Sequence, residues 1–405
     1  MRIAIHSQYY PPEMGAPQAR LSHLAGEFAR HGHEVVVLTA FPNYPKGRVE
    51  PGYGGLFRRE ERDGISIIRT WIRPSQSVGL SARLKSYFSF VLSSLVVGWF
   101  TLGRLDVLIT ESPPLFLGIA GYLLAWRTGA RWIFNVSDLW PESAVHLGAV
   151  SPGWGLDAAY ALEGFCYRRA WLVTGQSAEI LENIRRRFPA VRTYHLSNGV
   201  DTRFFEPGLR DATARRLLLD GAPENACVAL YAGLHGVAQG LDQILDAAET
   251  LRDLPPVRFV LVGDGPEKQQ LVQAATRRGL QNVRFLDALP REAMPALMAS
   301  ADLSLVPLKM SLPGAVPSKI YEAMGAGVPL LLIADGEAAT LVRRSEAGMV
   351  VAPGDTAAVA SAVRTLASDP ALRRRLGKAG REAALRDFDR RGIADRFIGY
   401  LEGEA

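Results

Sequence analysis

The chain has 405 residues, too many for one compact core, and predicts two or three domains at roughly 100–200 residues each. Apolar residues make up 48% and charged residues 21%, which excludes a wholly disordered or fibrous protein. The net charge of +5 alone indicates no particular partner. However, residues 1–200 contain 21 basic and 15 acidic side chains, whereas residues 201–405 contain 25 and 26. The excess of positive charge therefore lies in the first half.

The two cysteines, Cys166 and Cys227, lie far apart and belong to no CxxC pattern. This predicts free thiols rather than a disulfide framework or a structural zinc site. The opening residues 1–6 contain too short an apolar run for a secretory signal. We therefore expect a cytoplasmic protein.

The first half opens with alternating strands and helices. A strand is predicted at 3–5, a loop rich in proline and glycine at 10–17, a helix at 19–31 and a second strand at 34–39. This βαβ order predicts a parallel sheet with helices on its faces. The order recurs with strands at 107–110, 132–136 and 172–174 and helices at 115–126 and 179–188. Residues 1–195 are therefore predicted to form one Rossmann-like domain.

A second series of the same kind follows residue 196. Its strands are predicted at 228–231, 258–262, 283–286, 303–307 and 330–333, and its helices at 241–251, 267–278, 293–299 and 318–324. Residues 196–380 thus predict a second Rossmann-like domain, and residues 381–405 predict a helix that packs across the domain junction. The predicted fold class is α/β, with two doubly wound domains facing a central cleft.

The first domain is interrupted by a stretch, residues 64–105, that contains no acidic side chain. Within it, residues 86–103 are uncharged, and as a helix they would be about 27 Å long, near the lower limit for crossing a bilayer. A crossing helix would place strands of one domain on opposite sides of the membrane, so that arrangement is excluded. Four serines at helical spacing share one side of this segment: Ser86, Ser89, Ser93 and Ser94.

Two interpretations of this interruption remain. In the first, a long helix is buried against the sheet. In the second, residues 80–104 form an interfacial helix that dips into the headgroup region beside Trp99. The basic side chains Arg83, Lys85 and Arg104 would then contact anionic lipid, with Arg69 and Arg73 adding positive charge nearby.

The most specific motif is PSKIYEAMGAGVP at residues 317–329. It predicts a loop, a helix N-terminus and a return through glycines to a buried strand. Free N–H groups at a helix N-terminus favour phosphate, and Lys319 would add a cation there. Glu322, one turn further on, is placed to accept hydrogen bonds from a ribose diol. The alternative is a solvated surface helix without a ligand.

These residues resemble a known family. The motif at 317–329, together with Gly263-Asp264-Gly265-Pro266 and residues 198–201 (NGVD), resembles the large retaining family four of GT-B glycosyltransferases. The YYPPE loop at 9–13, DLWPE at 138–142 and YAGLHGVAQG at 231–240 are similar to bacterial surface-polysaccharide enzymes, notably N-acetyl-L-fucosamine transferases of O-antigen synthesis. The resemblance covers nearly the whole chain.

The resemblance implies a nucleotide-sugar donor on the second domain and an acceptor on the first. Ser318, Lys319 and Ile320 would meet the diphosphate and Glu322 the ribose. Asp287 and Leu289 would frame the base, mostly through their backbone. The remaining implied donor-binding positions are His235, Asp264, Gly265 and Gly15. The backbone at Gly15 would approach the donor phosphate, and the alternative is a plain turn glycine.

Two carboxylates are our candidates for the catalytic, acceptor-orienting role. Asp138 and Glu142 follow the end of a predicted strand, where ligands approach a parallel sheet. In the alternative interpretation, Asp138 caps the following turn and Glu142 is a solvated residue at the rim.

The sequence also departs from the family pattern. The position eight residues before Glu322, often acidic, is Gly314, and Ser137 stands where a histidine is common. Leu234 and Gln239 occupy the region where an arginine and a lysine often neutralise the diphosphate. Lys319 is then the main side-chain cation, aided by His235.

The expected function is retaining transfer of a sugar to a polyprenyl-diphosphate-linked saccharide, from a donor expected to be a UDP-linked N-acetyl amino sugar. No cofactor, metal or nucleic-acid partner is expected. The enzyme would lie peripherally on the anionic inner face of the bacterial plasma membrane. Alternatives are a UDP-N-acetylhexosamine 2-epimerase-like enzyme or an inactive membrane-peripheral scaffold. A dinucleotide oxidoreductase is disfavoured because neither domain opens with G-x-G-x-x-G.

Overall fold

In the computed structural model, the described residues are 1–13, 15–44, 47–75, 80–146, 148, 150–252 and 256–404, with only the backbone described at positions 16, 80 and 81. Met14, in the predicted 10–17 loop, and Ala405, in the predicted C-terminal helix, lie outside these residues. The chain folds into two compact units. The first comprises Met1–Asn198 and a C-terminal segment that begins at Arg390, and the second comprises Gly199–Asp389.

The first unit is built on an eight-stranded sheet. Its strands are β1 (Arg2–His6), β2 (Glu34–Ala40), β3 (Phe57–Arg62), β4 (Ile65–Thr70), β5 (Val107–Ser112), β6 (Arg131–Val136), β7 (Leu172–Gly175) and β8 (Thr193–His195). Its helices before residue 198 are α1 (Ala16–Arg30), α2 (Leu80–Thr101), α3 (Leu117–Thr128), α4 (Glu142–His146), α5 (Trp154–Arg169) and α6 (Ala178–Arg187).

The strands of the first sheet lie in the order β3-β4-β2-β1-β5-β6-β7-β8, and all neighbours are parallel except β3 and β4. The alternation of side chains along a strand builds a core on each face. Ile3 and Ile5 pack with residues of α1 on one face, and Ala4 packs with residues of α3 on the other. Both faces are therefore covered by helices, as a doubly wound sheet requires.

The second unit repeats this plan with six parallel strands. They are β9 (Cys227–Ala232), β10 (Val257–Val262), β11 (Val283–Leu286), β12 (Leu303–Pro307), β13 (Leu330–Ile333) and β14 (Gly348–Val351), in the order β11-β10-β9-β12-β13-β14. Its helices are α7 (Ala212–Leu219), α8 (Asp242–Thr250), α9 (Lys268–Arg277), α10 (Met294–Ala299), α11 (Ser318–Gly325), α12 (Gly336–Arg344), α13 (Thr356–Ser368) and α14 (Pro370–Ala383). The predicted α/β class with two Rossmann-like domains is confirmed.

The end of the chain differs from the single helix predicted at 381–405. Helix α14 ends at Ala383, a widened turn spans Ala384–Phe388, and α15 covers Arg390–Gly403. The break falls at Asp389, whose backbone is extended and whose Oδ1 accepts a hydrogen bond from Thr202 Oγ1 at 2.7 Å. Helix α15 then packs within the first unit, where Phe397 and Leu401 join the core on the α1 face.

Candidate functional site

Glycines occupy the loops that follow β9 and β10 at the carboxyl edge of the second sheet. Gly233 has φ 155° and Gly263 has φ 141°, values that favour glycine. A Cβ built on Gly263 would collide with the carbonyl oxygen of Gly233. The two loops therefore lie in direct backbone contact and leave no room for side chains between them.

Lys319 from helix α11 extends to this edge, which we call the open edge because the described residues place no carboxylate against this lysine. A Cβ built on Gly233 would lie 2.6 Å from Lys319 Nζ, so the ammonium group occupies the space beside that glycine. It also lies 5.7 Å from the centre of the Tyr231 ring, whose hydroxyl donates a 2.6 Å hydrogen bond to the carbonyl oxygen of Leu234. Among the described residues, no carboxylate pairs with Lys319. The site thus presents an unneutralised cation at the edge where parallel sheets bind ligands.

The N-terminal turn of α11 adds backbone donors. The amide groups of Ser318 and Lys319 precede the first intrahelical hydrogen bond and carry partial positive charge. Ile320 differs, because its side chain lies in the core and its amide donates to the carbonyl oxygen of Pro317 at 3.1 Å. Glu322 is half-buried one turn further on. This turn brings together a cation, two amides and a carboxylate.

The cationic role expected for His235 is wrong. The ring is fully buried, with centres 5.8 Å from Tyr231 and 6.2 Å from Phe285, and neither ring nitrogen has a hydrogen-bond partner among the described residues. Burial, reinforced by the charge of Lys268, lowers the pKa of His235 to about 4. The imidazole is therefore neutral at neutral pH and supplies no positive charge to a diphosphate.

The remaining predicted donor residues of this unit lie on loops of the same edge. Asp264 is exposed, and its Oδ1 accepts the amide of the half-buried Gly265 at 2.8 Å. Asp287 is exposed after β11, and Leu289 is half-buried. Sequence reasoning missed Lys268, whose Nζ donates to Asp287 Oδ1 at 2.6 Å and to the carbonyl oxygen of Gly263 at 2.8 Å. That hydrogen bond and charge lower the pKa of Asp287.

In the first unit, the candidate carboxylates Asp138 and Glu142 lie near the start of α4. Ser143 Oγ donates to Asp138 Oδ1, and burial is the main cause of the raised pKa of this carboxyl. Glu142 is half-buried and accepts a 3.3 Å hydrogen bond from Asn183 Nδ2. Both carboxylates are thus held by neighbouring side chains, and their acceptor-orienting role stays a prediction.

A buried network that sequence reasoning missed fills the carboxyl edge of the first sheet. Arg20 donates to Glu111 Oε1 at 2.5 Å and to Ser137 Oγ at 2.9 Å, and Asn135 Nδ2 donates to Glu111 Oε2 at 2.7 Å. Arg20 and Glu111 are 5% and 3% exposed. The Nε and Nη1 atoms of Arg20 have no partner among the described residues, and Arg20 borders a cavity of about 20 Å³, large enough for one water molecule. The sequence signal that could have revealed this network is Glu111, a charged residue inside the buried strand β5.

The first loop of this unit is tied to the strand-end loop after β2. Glu13 Oε1 accepts the amides of Asn43 and Tyr44, each at 2.8 Å, and burial raises the pKa of Glu13 despite these bonds. Gly15 follows in extended backbone immediately before α1 and is exposed. This places an accessible backbone at the position predicted to approach the donor.

Helix α2 lies at the surface of the first unit. One side of the helix packs against the protein and the other side is exposed. Arg83, Lys85 and Arg104 are exposed, and Trp99 is half-buried. Arg69 is different, because it is 2% exposed and its Nε lies 3.0 Å from Glu60 Oε2. Arg69 therefore does not contribute to a basic surface.

One group of potential metal ligands occurs among the described residues, at Glu27, His31 and Asp395. Arg30 forms ion pairs with both carboxylates, with a distance of 3.3 Å to Asp395 Oδ1. His31 Nδ1 lies 2.9 Å from the carbonyl oxygen of Glu27. The group is therefore built as an ion-pair cluster between α1 and α15.

Two consecutive Rossmann-like units define the GT-B class of fold, and the comparisons identify the family. The Glycosyl transferase 4-like domain matches residues 15–199, and Glycosyl transferases group 1 matches residues 220–383. The chain belongs to the group 1 glycosyltransferases and is a transferase enzyme.

Two relatives and one solved structure illustrate the match. The putative colanic acid biosynthesis glycosyl transferase WcaI of Escherichia coli K12 is 27% identical over 100% of both chains. D-inositol 3-phosphate glycosyltransferase 1 of Catenulispora acidiphila is 32% identical over 68% of each. HepE of Anabaena, solved in complex with UDP-glucose, has a TM-score of 0.73 at 19% identity and covers 100% of both chains.

Proposed function

We propose that the protein is a retaining glycosyltransferase that moves a sugar from a UDP-linked N-acetyl amino sugar to a saccharide carried on a polyprenyl diphosphate. The product would be a bacterial O-antigen, capsule or exopolysaccharide. The observation that carries the proposal is the Lys319 ammonium, which lies beside Gly233 at the carboxyl edge of the second sheet and has no carboxylate partner among the described residues. The full-length match to WcaI, named for colanic acid biosynthesis, supports the class of product.

The donor diphosphate would lie against the N-terminal turn of α11. Its negative charge favours the Lys319 ammonium and the free amides of Ser318 and Lys319. The Glu322 carboxylate, one turn along the same helix, would accept hydrogen bonds from the ribose hydroxyls. The UDP-glucose bound to the structurally similar HepE supports uracil as the base.

In the transfer step, the bond from the anomeric carbon to the diphosphate oxygen breaks and a bond to the acceptor hydroxyl oxygen forms on the same face of the sugar. The acceptor proton passes to the departing phosphate oxygen. Lys319 and the α11 amides stabilise the negative charge that develops on the leaving diphosphate. This set of donors supports transfer without a metal ion, which an assay in EDTA would test directly.

The proposed acceptor is anchored in a membrane, so the enzyme would act peripherally at the inner face of the plasma membrane. The exposed Arg83, Lys85 and Arg104 support this location, because they border the uncharged residues 86–103 in a stretch that contains no acidic residue.

The test is release of UDP from UDP-N-acetylhexosamine with and without a polyprenyl-diphosphate saccharide. We expect release only with the acceptor, together with transfer of the sugar to the lipid. A 2-epimerase would convert the soluble sugar nucleotide without any acceptor, and an inactive scaffold would do neither. Either of these results would contradict the proposal.

A further inference from the structure

Helix α2 turns its hydroxyl groups toward the protein. Ser94 Oγ lies 3.0 Å from His6 Nε2 at the end of β1, and Ser93 Oγ lies 3.0 Å from Thr70 Oγ1 at the end of β4. A surface helix of a globular domain usually has the opposite polarity, with apolar residues inside and polar residues in water. The hydroxyl groups of α2 are thus satisfied by the protein. Phe90, Val91 and Val97 of the same helix are also buried, whereas a second set of its apolar side chains faces outward.

The outward side chains form a continuous apolar stripe that extends onto α3. The two helices run side by side, with ring centres 4.6 Å apart for Phe88 and Phe116 and 6.2 Å apart for Trp99 and Trp126. We call the exposed apolar residues of this pair the α2–α3 face: Phe88, Leu92, Val96, Phe100, Ile119 and Trp126. Phe100 is 83% exposed and Trp126 is 71% exposed. Large contiguous apolar surfaces of this kind mark interaction sites.

Basic side chains border the α2–α3 face. Arg83 and Lys85 are exposed near one end of α2, and Arg104 is exposed just beyond the other. Arg127 is exposed on α3, with its guanidinium carbon 5.8 Å from the centre of the Trp99 ring. Asp106, the first acidic residue after this stretch, accepts the Arg2 amide at 2.6 Å. An apolar centre with a cationic rim complements hydrocarbon beneath anionic headgroups.

The face adjoins the carboxyl edge of the first sheet. Arg83 lies close enough to Tyr9, in the loop after β1, and to Tyr87 that its charge opposes the burial that raises the pKa of each hydroxyl. Ser89 Oγ accepts the Arg73 amide at 2.9 Å in the chain beyond β4. The amino-terminal end of α2 therefore lies where ligands approach a parallel sheet.

We propose that the α2–α3 face lies in the interfacial region of a bilayer that contains anionic lipid, with both helices parallel to its surface. Residues 82–101 are long and apolar enough to cross a bilayer. A crossing is excluded, however, because β4 before α2 and β5 after it belong to one sheet. The inference deepens the proposed function and rests on it, since a lipid-linked acceptor gives the enzyme a reason to hold this edge at the membrane.

The experiment is co-sedimentation of the full chain with vesicles of phosphatidylcholine alone or of phosphatidylcholine and phosphatidylglycerol at 7:3. We expect binding that is much stronger to the anionic vesicles. Leu92→Glu and Phe100→Glu should each weaken it about tenfold or more, because a charge replaces an inserted apolar side chain. Leu385→Glu, at an exposed leucine of the second unit, is the matched control and should bind like the wild type.

Charge is tested separately with Arg83→Gln and Lys85→Gln, each expected to weaken anionic-vesicle binding about fivefold. The matched control is Lys378→Gln, at an exposed lysine of α14.

Unchanged binding of the face variants would overturn the inference. So would a wild-type oligomer that Leu92→Glu dissociates, because the face would then join two copies. UDP affinity measured without vesicles separates a failure of this inference from a failure of the proposed function. If the wild type binds vesicles as expected but does not bind UDP, the donor assignment is overturned and the surface inference stands.

Discussion

The carboxyl edges of the two sheets are built in opposite ways. In the first unit, Arg20, Glu111 and Ser137 fill the edge with groups that bond to one another. In the second unit, backbone fills the space beside Gly263, and the Lys319 ammonium lies beside Gly233 without a carboxylate partner among the described residues. The comparison shows that charge alone does not define a site on a Rossmann-like sheet. A cation that has a counter-charge, such as Arg20, is neutralised within the fold, whereas a cation without one is available to an anionic ligand.

The largest expected effect is on the free energy of unfolding, at the carboxyl edge of the first sheet. Glu111→Gln should lower the free energy of unfolding by about 3–5 kcal/mol, because it leaves the Arg20 guanidinium buried without a counter-charge. Urea unfolding measures this. Glu34→Gln removes an exposed partner of Arg2 and is the control, expected to change stability by about 0–1 kcal/mol. Equal effects of the two variants would contradict the claim that Glu111 neutralises the buried Arg20.

The second prediction concerns acid stability at the open edge. The pKa of His235 is about 4 in the fold, below its unfolded value of 6.5, so the fold favours the neutral ring. Its contribution to stability is complete above pH 6.5 and is lost as the pH falls through 4. Between pH 7 and 4.5 the loss is about 2–3 kcal/mol.

Replacement of this ring should remove that loss. His235→Leu keeps an apolar side chain between Tyr231 and Phe285 and should reduce the acid destabilisation of the second unit by about 2–3 kcal/mol. Amide hydrogen exchange at the two pH values reports on this unit separately. An unchanged pH dependence would mean that the ring is accessible to protons and could carry charge at the site.

The smallest effect is expected at the rim of the open edge. Asp287 is exposed and its ion pair with Lys268 is screened by water, so Asp287→Asn should change UDP affinity less than twofold. Isothermal titration calorimetry would measure it. A larger loss of UDP affinity would indicate that the Asp287 carboxylate contacts the nucleotide.

Strong local periodicity explains what could be predicted of the fold. The buried strands β1, β2, β5 and β6 are short apolar runs and were expected close to their observed positions. Strand β3, with the sequence FRREER, was not predicted, because it is an exposed edge strand that pairs only with β4. The break near Asp389 was also missed, since it depends on a hydrogen bond from Thr202, which is 187 residues away.

The candidate site divides in the same way. Lys319 and Glu322 belong to one contiguous motif, so resemblance to a family could identify them. The pairing of Arg20 with Glu111 joins residues 91 apart, and spacing gave no means of predicting it. The serines of α2 indicated a polar side, but only the tertiary structure shows that this side faces the protein. A positive charge was predicted for His235, but such a charge requires contact with water, and the ring is buried.

The central claim is that the open edge of the second unit binds the donor through Lys319, and calorimetric titration with UDP tests it most directly. The wild type should bind UDP, Lys319→Ala should weaken binding about tenfold or more, and Lys378→Ala, an equal loss of charge at an exposed site of the same unit, should leave it unchanged. Equal UDP affinity in the wild type and Lys319→Ala would contradict the account.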